Sequence, residues 1–454
     1  MNGGTGSKRA VGDVLHAVVE RGWCSGCGVC AAACPADALA MAPDAEAALV
    51  PHDVGGCTAC GRCIAVCPFG PHGPDEDALA AQRFADAPRH GGIGHARACA
   101  AGFAATERAH GASGGLATWT GVRLLESGAV DAVLAVGPVA DGRMFAYRAC
   151  SDVAALRACS GSHYHQASLD EALRAAVRAR SRVAVVGVPC TIKALRRAAS
   201  EWPALAACLG PCLGLACGQQ KTHAFTALLA QRAGVPHEAS VRTVRYRIKR
   251  DGVPPHRFGV EVGYATGAAT ATASGEFPFD AWVPRVFTLG ACEWCDDLAA
   301  ETADVTFMDA WVEPYLSEPR GTSIAIVRSA EMAALLEAGV ADGSVSLEAL
   351  APDAVRVSQA AGLSYKSTGL ADRLWRAAGS GMAAPRKRIA PGRDRRILRS
   401  LANRLVSDVA RASRRSFALT GDAEAAFRAT TIRRMVASIA RSLDARLPSR
   451  GRTS

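Results

Sequence analysis

The stretch "RVAVVGVPCTIKALRRA", Arg182 to Ala198, decides the architecture. Its first half is a short apolar, β-branched run that reads as a buried strand, and it passes through a glycine–proline turn into a helical pattern. Cys190 therefore stands at the carboxyl end of a strand, where site residues of an α/β sheet usually lie. Three further runs, "DAVLAVGP", "ADVTFMDAW" and "TSIAIVRS", read as strands too, with Asp309 and Trp311 at the exit of the second. "GASGGLATWTGVRLLESG" reads as a glycine-rich turn leading into a helix, with Leu116, Trp119, Val122 and Leu125 at spacings of three. Together these predict an α/β body, a mixed sheet with flanking helices. No G-x-G-x-x-G follows any of the strands, which leaves a dinucleotide fold of the Rossmann type without support.

Ahead of that body lie eight cysteines in two matched groups. Cys24, Cys27, Cys30 and Cys34 stand in "CSGCGVCAAACP", and Cys57, Cys60, Cys63 and Cys67 in "CTACGRCIAVCP". The spacing C-x2-C-x2-C-x3-C-P is that of a bacterial ferredoxin with two 4Fe-4S clusters, in which each fourth cysteine serves the other cluster. Cys24, Cys27, Cys30 and Cys67 should thus hold one cluster, and Cys57, Cys60, Cys63 and Cys34 the other. Gly26, Gly28 and Gly61 suit tight turns around a bulky cluster. A pair of zinc knuckles would also need four thiolates per site, but gives no reason for the C-x3-C-P ending. The expectation is a small α+β module of the two-cluster bacterial type over residues 1–85, followed by a polar, glycine-rich connector.

Composition limits the remaining classes. The 454 residues exceed one ordinary core, so two or three domains are expected. The net charge of +10 is concentrated: residues 383–454 carry 18 Lys+Arg against 5 Asp+Glu, and the rest 34 against 37. A nearly neutral body with a basic tail is a poor nucleic-acid binder, and none is expected. Met1 to Cys24 has no uninterrupted apolar segment or small-residue cleavage site, and no run reaches the ~18 apolar residues of a membrane span. A cytoplasmic protein is expected, in which 17 cysteines argue for metal ligation over disulfides.

"GACEWC", Gly290 to Cys295, is half of a further metal site with no local partner. Its rival reading is a pair of buried apolar thiols. Taken in order, "ASGGLATWTGVRLLESGAVDAVL", "SGSHYHQASLDEAL", "GVPCTIKALRR", "GLACGQQKT", "CEWCDDLAAETADVTFMDAW" and "PRGTSIAIVRS" resemble the beta subunit family of coenzyme F420 hydrogenase and dehydrogenase. With the ferredoxin repeat the resemblance runs from Gly22 to Arg328. It implies an FAD- and iron–sulfur-dependent oxidoreductase that passes electrons between ferredoxin-type clusters and a hydride partner, coenzyme F420 or another carrier. It divides the body into residues 95–180 and 181–350, ahead of a helical extension over 351–454. It implies an internal 4Fe-4S cluster on Cys190, Cys217, Cys292 and Cys295, with Cys208 and Cys212 as rivals to Cys217. It further implies FAD contacts from Ser113, Gly114, Gly115, Ser162, Tyr164, Asp309, Thr322 and Ser323. The chain departs from the family pattern at Met308, where glycine is usual, and at His163, where lysine is common.

Two features of this reading carry chemistry of their own. Ser113, Gly114 and Gly115 would leave backbone N–H groups free at a helix start, an anion site, unless the turn is a cap built for close packing. Flavin is the natural junction, because clusters move single electrons, hydride donors move pairs, and flavin handles both. The alternatives are a ferredoxin-dependent reductase of an organic substrate and a relay subunit feeding a partner redox protein. In the tail, Ile397, Leu398, Leu401, Leu405 and Val409, then Ile432, Met435, Val436, Ile439 and Leu443, fall at helical spacings among arginines. Such helices suit either peripheral contact with an anionic membrane or an acidic partner, or a hairpin packed on the body.

Overall fold

The structure, a computed structural model, describes residues 11–236, 240–254, 257–264, 267–271 and 279–447. In chain order the strands of the body are β1 (Ala98–Ala104), β2 (Ala132–Pro138), β3 (Phe145–Cys150), β4 (Val183–Gly187), β5 (Leu209–Leu215), β6 (Val241–Ile248), β7 (Gly259–Tyr264), β8 (Gly267–Ala271), β9 (Val305–Asp309), β10 (Ser323–Val327) and β11 (Val345–Ala349). Eight of them form one mixed sheet in the order β11-β1-β10-β9-β5-β4-β2-β3. Its centre is parallel, from β9 through β5 and β4 to β2, and its flanks are antiparallel. β6, β7 and β8 make a separate antiparallel sheet. Parallel pairing has one consequence for function. It brings the carboxyl ends of β4, β5 and β9 to one end of the sheet, so Cys190, Cys217 and Asp309 leave from the same edge.

The opening stretch folds as its residues dictate. Val183, Ala184 and Val185 are fully buried in the sheet centre, as a continuous apolar run requires. Pro189 then begins helix α2 (Pro189–Glu201), where its missing N–H is no loss. Helix α1 (Leu116–Glu126) buries Leu116, Trp119, Val122 and Leu124 against the sheet.

The amino-terminal module is a two-stranded antiparallel hairpin, Leu39–Pro43 with Leu49–Asp53, plus two short helices, Val29–Ala32 and Arg62–Val66. It is not a bead on a connector. Val29, Ile64 and Val66 share one core with Val183, Val185, Ile192 and Leu195 of β4 and α2. The expected connector is instead ordered: Glu76–Phe84 is a helix, capped by Asp75 and fastened where Glu76 pairs with Lys193 of α2 at 2.9 Å, both buried.

The carboxyl-terminal region is helical: α3 (Ala360–Lys366), α4 (Thr368–Gly379), α5 (Ile397–Thr420), α6 (Ala423–Arg428) and α7 (Thr431–Arg446). Arg396 at the start of α5 pairs with Asp444 near the end of α7 at 2.9 Å, so the two run antiparallel. The basic tail is packed on the body. Arg414 of α5 reaches Glu46 of the amino-terminal hairpin at 2.8 Å and the Thr288 carbonyl. Ile432, Met435, Val436, Ile439 and Leu443 of α7 nevertheless remain exposed. Among the described residues no helix is long and apolar enough to cross a membrane.

Candidate metal centres and a basic cluster

The eight amino-terminal thiols separate into two groups. Cys24, Cys27, Cys30 and Cys67 line one small cavity, walled by Val14, Val18, Val29 and Val66. Burial, and then the neighbouring thiols, push them upward: Cys67 and Cys27 act on Cys24, and Cys27, Cys24 and Cys67 act on Cys30. Cys67 itself is pushed up to about 12 by burial and by Cys27. Around Cys63, pushed up to about 11 by burial, the neighbouring thiols are Cys60, Cys34 and Cys57. Each fourth cysteine thus crosses to the other loop. The crossing is built by the two short helices, each started by a glycine in the left-handed region; at Gly28 (φ 76°) a side chain would also collide with Ser168. Four buried thiols cannot all ionise without a compensating cation, which a cluster supplies. Among the described residues no three His, Cys, Asp or Glu side chains close around a single ion. Cys57 and Cys60 are exposed, so the second group faces solvent while the first is interior.

A third group forms behind the first. Cys190 in the first turn of α2 is pushed up by burial and by Cys27, Cys217, Cys295 and Cys292. Cys217, just beyond β5, is pushed up to about 12 by burial, with Lys366 opposing and Cys292 and Cys295 adding to it. Cys292 and Cys295 come from a tight 3-10 turn, Gly290–Trp294. The structure brings Cys217 to the group and places its rivals elsewhere. Cys212 lies within β5, its N–H donating to Asp304 at 2.7 Å, and Cys208 ends the helix Pro203–Cys208. Three donors aim at the sulfurs: Gln220 Nε2 at Cys190 (3.1 Å), the Gln220 N–H at Cys292 (3.2 Å) and Lys366 Nζ at Cys295 (2.9 Å). Burial alone would lower the Lys366 ammonium, yet the adjacent Cys295 and Cys217 hold it above its ordinary value.

The internal and interior groups are neighbours. Cys27 is among the neighbours of Cys190, and Trp23 beside Cys24 meets Trp294 edge-on at 6.5 Å. Gly290 lets the turn approach: a Cβ there would collide with the Gly22 carbonyl oxygen. Cys63 in turn is a neighbour of Cys30, so the three groups form a series from interior to surface.

Several of the predicted flavin contacts gather around three basic side chains. Arg247 of β6 grips Asp309 with two bonds, at 2.9 and 3.3 Å, and bonds Tyr164, which also bonds Ser162. Lys249 donates to the carbonyls of Ser113 (2.6 Å) and Arg108 (2.7 Å). Burial, then Arg108 and Arg247, push Lys249 down to about 8. Trp311 and Phe258 flank the Arg247 guanidinium, at 5.9 and 5.3 Å. Sequence reasoning named Ser113, Ser162, Tyr164 and Asp309, but missed Arg108, Arg247 and Lys249, which join them.

The glycine turn follows the second of its two readings, a cap built for close packing. The Gly114 N–H donates to Ser323 Oγ at 2.9 Å, and Ser113 Oγ donates to the Thr322 carbonyl at 2.7 Å. A Cβ on Gly114 would meet the Gly102 carbonyl and the Ser323 nitrogen, and one on Gly115 the Glu107 backbone. Gly114 is there for close packing, and its N–H is not free for an anion. His163, standing where the family commonly has lysine, lies tilted against the Phe145 ring at 4.6 Å. Met308 is 7% exposed in β9 and packs among Ile324 and Ile326. Two buried polar atoms of this region, the donor Arg108 Nη1 and the acceptor His163 Nδ1 (its Nε2 donates to the Cys159 carbonyl), have no partner among the described residues, as expected where a polar ligand completes the set. A short chain of neighbours leads from this basic cluster to the internal group. Tyr164 meets Trp282 at 4.5 Å, Lys221 lies 5.0 Å from the Trp282 ring, and Cys292 is among the groups acting on Lys221.

Residues 99–174 match the amino-terminal model, and residues 180–353 the carboxyl-terminal model, of the coenzyme F420 hydrogenase/dehydrogenase beta subunit; residues 23–70 match a 4Fe-4S dicluster domain. Among solved structures, a chain in the xenon-derivatised F420-reducing [NiFe] hydrogenase complex from Methanosarcina barkeri is similar in fold. Its TM-score is 0.51 at 17% identity, over 66% of this chain and 99% of that one. No curated protein sequence matches the chain.

Proposed function

Since the chain belongs to the coenzyme F420 hydrogenase/dehydrogenase beta-subunit family, over half its length matching the two models, we propose that it couples FAD to a series of three 4Fe-4S clusters. The family is one of oxidoreductases, and iron–sulfur electron transfer is the chemistry of its amino-terminal domain. The single observation that carries the finer reading is the unbroken sequence of sites. Basic cluster, internal cysteines, interior cysteines and solvent-facing cysteines succeed one another through Tyr164, Trp282, Lys221, Cys292, Cys190, Cys27, Cys30 and Cys63.

FAD beside the basic residues would exchange a hydride with coenzyme F420 and single electrons with the clusters. The chain's own residues bind and orient. Arg108, Arg247 and Lys249 offer positive charge to a diphosphate, while Tyr164, Phe258 and Trp311 offer ring faces. Asp309 fixes Arg247 in place, and Ser162 fixes Tyr164. Cys190, Cys217, Cys292 and Cys295 would hold the internal cluster, and the eight amino-terminal cysteines the other two. Cys57 and Cys60, being exposed, mark where a redox partner protein would exchange electrons. The exposed stripe of α7, with Arg433 and Arg446 exposed on the same helix, suits peripheral contact with an anionic membrane. Full-length protein that fails to float with anionic vesicles would remove that contact.

The central test is anaerobic purification followed by denaturation and analysis of the released flavin. Stoichiometric FAD, bleached by reduced coenzyme F420 with electrons reaching the clusters, is the expected result. A flavin-free protein after reconstitution would count against the enzyme reading. Bleaching by NADH or reduced ferredoxin alone would transfer the hydride role away from coenzyme F420.

A further inference from the structure

The carboxyl-terminal helices begin where the family match ends, at residue 353, yet one of them enters the internal site. Lys366, the last residue of α3, is 3% exposed. Its Nζ donates to Cys295 Sγ at 2.9 Å and to the Asp297 carbonyl at 2.7 Å. The neighbouring Tyr365 ring is clamped between the guanidinium groups of Arg285 (3.9 Å) and Arg373 (4.1 Å). Arg373 in turn donates to the Glu293 carbonyl at 2.7 Å, inside the C-E-W-C turn itself. The ammonium is therefore buried on two hydrogen bonds, and the segment that carries it is anchored to the turn by Tyr365 and Arg373.

Resting on the cluster reading above, we propose that Lys366 is a positioning residue that raises the reduction potential of the internal cluster. The Cys295 sulfur, free in this structure, stands in for a cluster-bound thiolate. Cluster potentials follow net charge, burial and hydrogen bonds to the sulfurs. Reduction adds one negative charge to the cluster, and a fixed positive charge at hydrogen-bond distance favours that state. In a water-excluded setting the effect is largest, because little solvent screens it. Gln220 donates to Cys190 and Cys292 as well, but as a neutral amide. The consequence is that the internal cluster accepts electrons from the flavin more readily than its thiolates alone would allow. A segment outside the matched family region thus sets the property on which the relay depends.

The test is a redox titration of full-length, iron-loaded protein followed by electron paramagnetic resonance. Lys366→Met should keep about twelve irons. At a given potential its internal cluster should show a reduced-to-oxidised ratio at least about tenfold lower, equivalent to ~59 mV for a one-electron couple. Lys366→Arg should restore most of the shift, and the amino-terminal clusters should not move. An internal potential unchanged in Lys366→Met, with iron intact, overturns the proposal. Should the Met variant lose the cluster, the wild-type protein labelled with 15N-lysine decides. Pulsed resonance should find a lysine nitrogen coupled to the internal cluster and lost in Lys366→Arg, and its absence in the wild type overturns the proposal. A wild-type count of about eight irons is a different failure. It removes the internal cluster, and with it the reading on which this one rests.

Discussion

The amino-terminal loops take all eight of their thiols from the short stretch between Cys24 and Cys67, whereas the internal group draws four from between Cys190 and Cys295. In the first, each loop closes with a few residues, glycines turn the backbone, and a bound cluster can organise its own surroundings. In the second, the ligands leave a helix start, a strand exit and a tight turn, and meet only once the parallel strands have paired. A site of the first kind is nucleated by its ligand. One of the second kind depends on the fold being present beforehand, and in return its neighbours, Gln220 and Lys366, can be fixed with precision.

The largest effect that separates the two is expected from Cys295→Ala. The full-length protein should fall from about twelve irons to about eight, with the amino-terminal clusters spectroscopically intact, because the two modules ligate separately. Hydride donors should still bleach the flavin, while cluster reduction slows by orders of magnitude. Iron near eight in the wild type and unchanged in Cys295→Ala would break the comparison by making Cys292 and Cys295 ordinary core residues.

A smaller effect should come from the joint between the two sites. In Gly290→Ala the new methyl meets the Gly22 carbonyl, a backbone atom that cannot rotate away. Overpacking of this kind costs roughly 1–3 kcal/mol, and chemical denaturation should register it. The same variant should slow transfer between the internal and interior clusters while leaving both iron counts unchanged. Wild-type stability and transfer together would mean that the Trp23–Trp294 contact is incidental.

The contrast also explains what was legible in the sequence. The eight amino-terminal ligands are written in local spacing, and the structure groups them with each fourth cysteine crossing over. The strand-to-helix passage at Cys190 is equally local, and it fixes the α/β body. Cys292 and Cys295 are legible as half a site from their spacing, but their joining to Cys190 and Cys217 came only through family resemblance, since no short-range rule joins a strand exit to a distant turn. Lys366, Arg247 and Lys249 gave no signal. The first looks like an ordinary basic helix end, and "RYRIKR" in β6 looks like a solvated edge strand, until tertiary packing buries Arg247. The helix Glu76–Phe84 was concealed by its glycine and proline flanks, and its buried Glu76 is tolerable only opposite Lys193. In the tail, hydrophobic periodicity identified the helices, but Arg414 turned inward against it, because Glu46 and the Thr288 carbonyl await it.

The smallest expected effect lies among the basic residues and depends on pH. Lys249 is pushed down to about 8 by burial and by Arg108 and Arg247, well under an ordinary lysine near 10.4. Between those values the unfolded chain binds the proton and the folded chain has released it. The ligand-free protein should therefore gain stability as pH rises through that window, and the cost of keeping the ammonium buried is felt in full below it. Binding of an anion should show the opposite trend, because a diphosphate favours the charged lysine. FAD should accordingly be held most tightly below pH ~8 and released progressively above it, as followed by ultrafiltration of free flavin. Lys249→Gln should flatten that profile without altering iron content, since no cluster ligand touches the residue. A profile equally steep in the variant would assign the pH dependence to another group, and would detach the basic strand from cofactor binding.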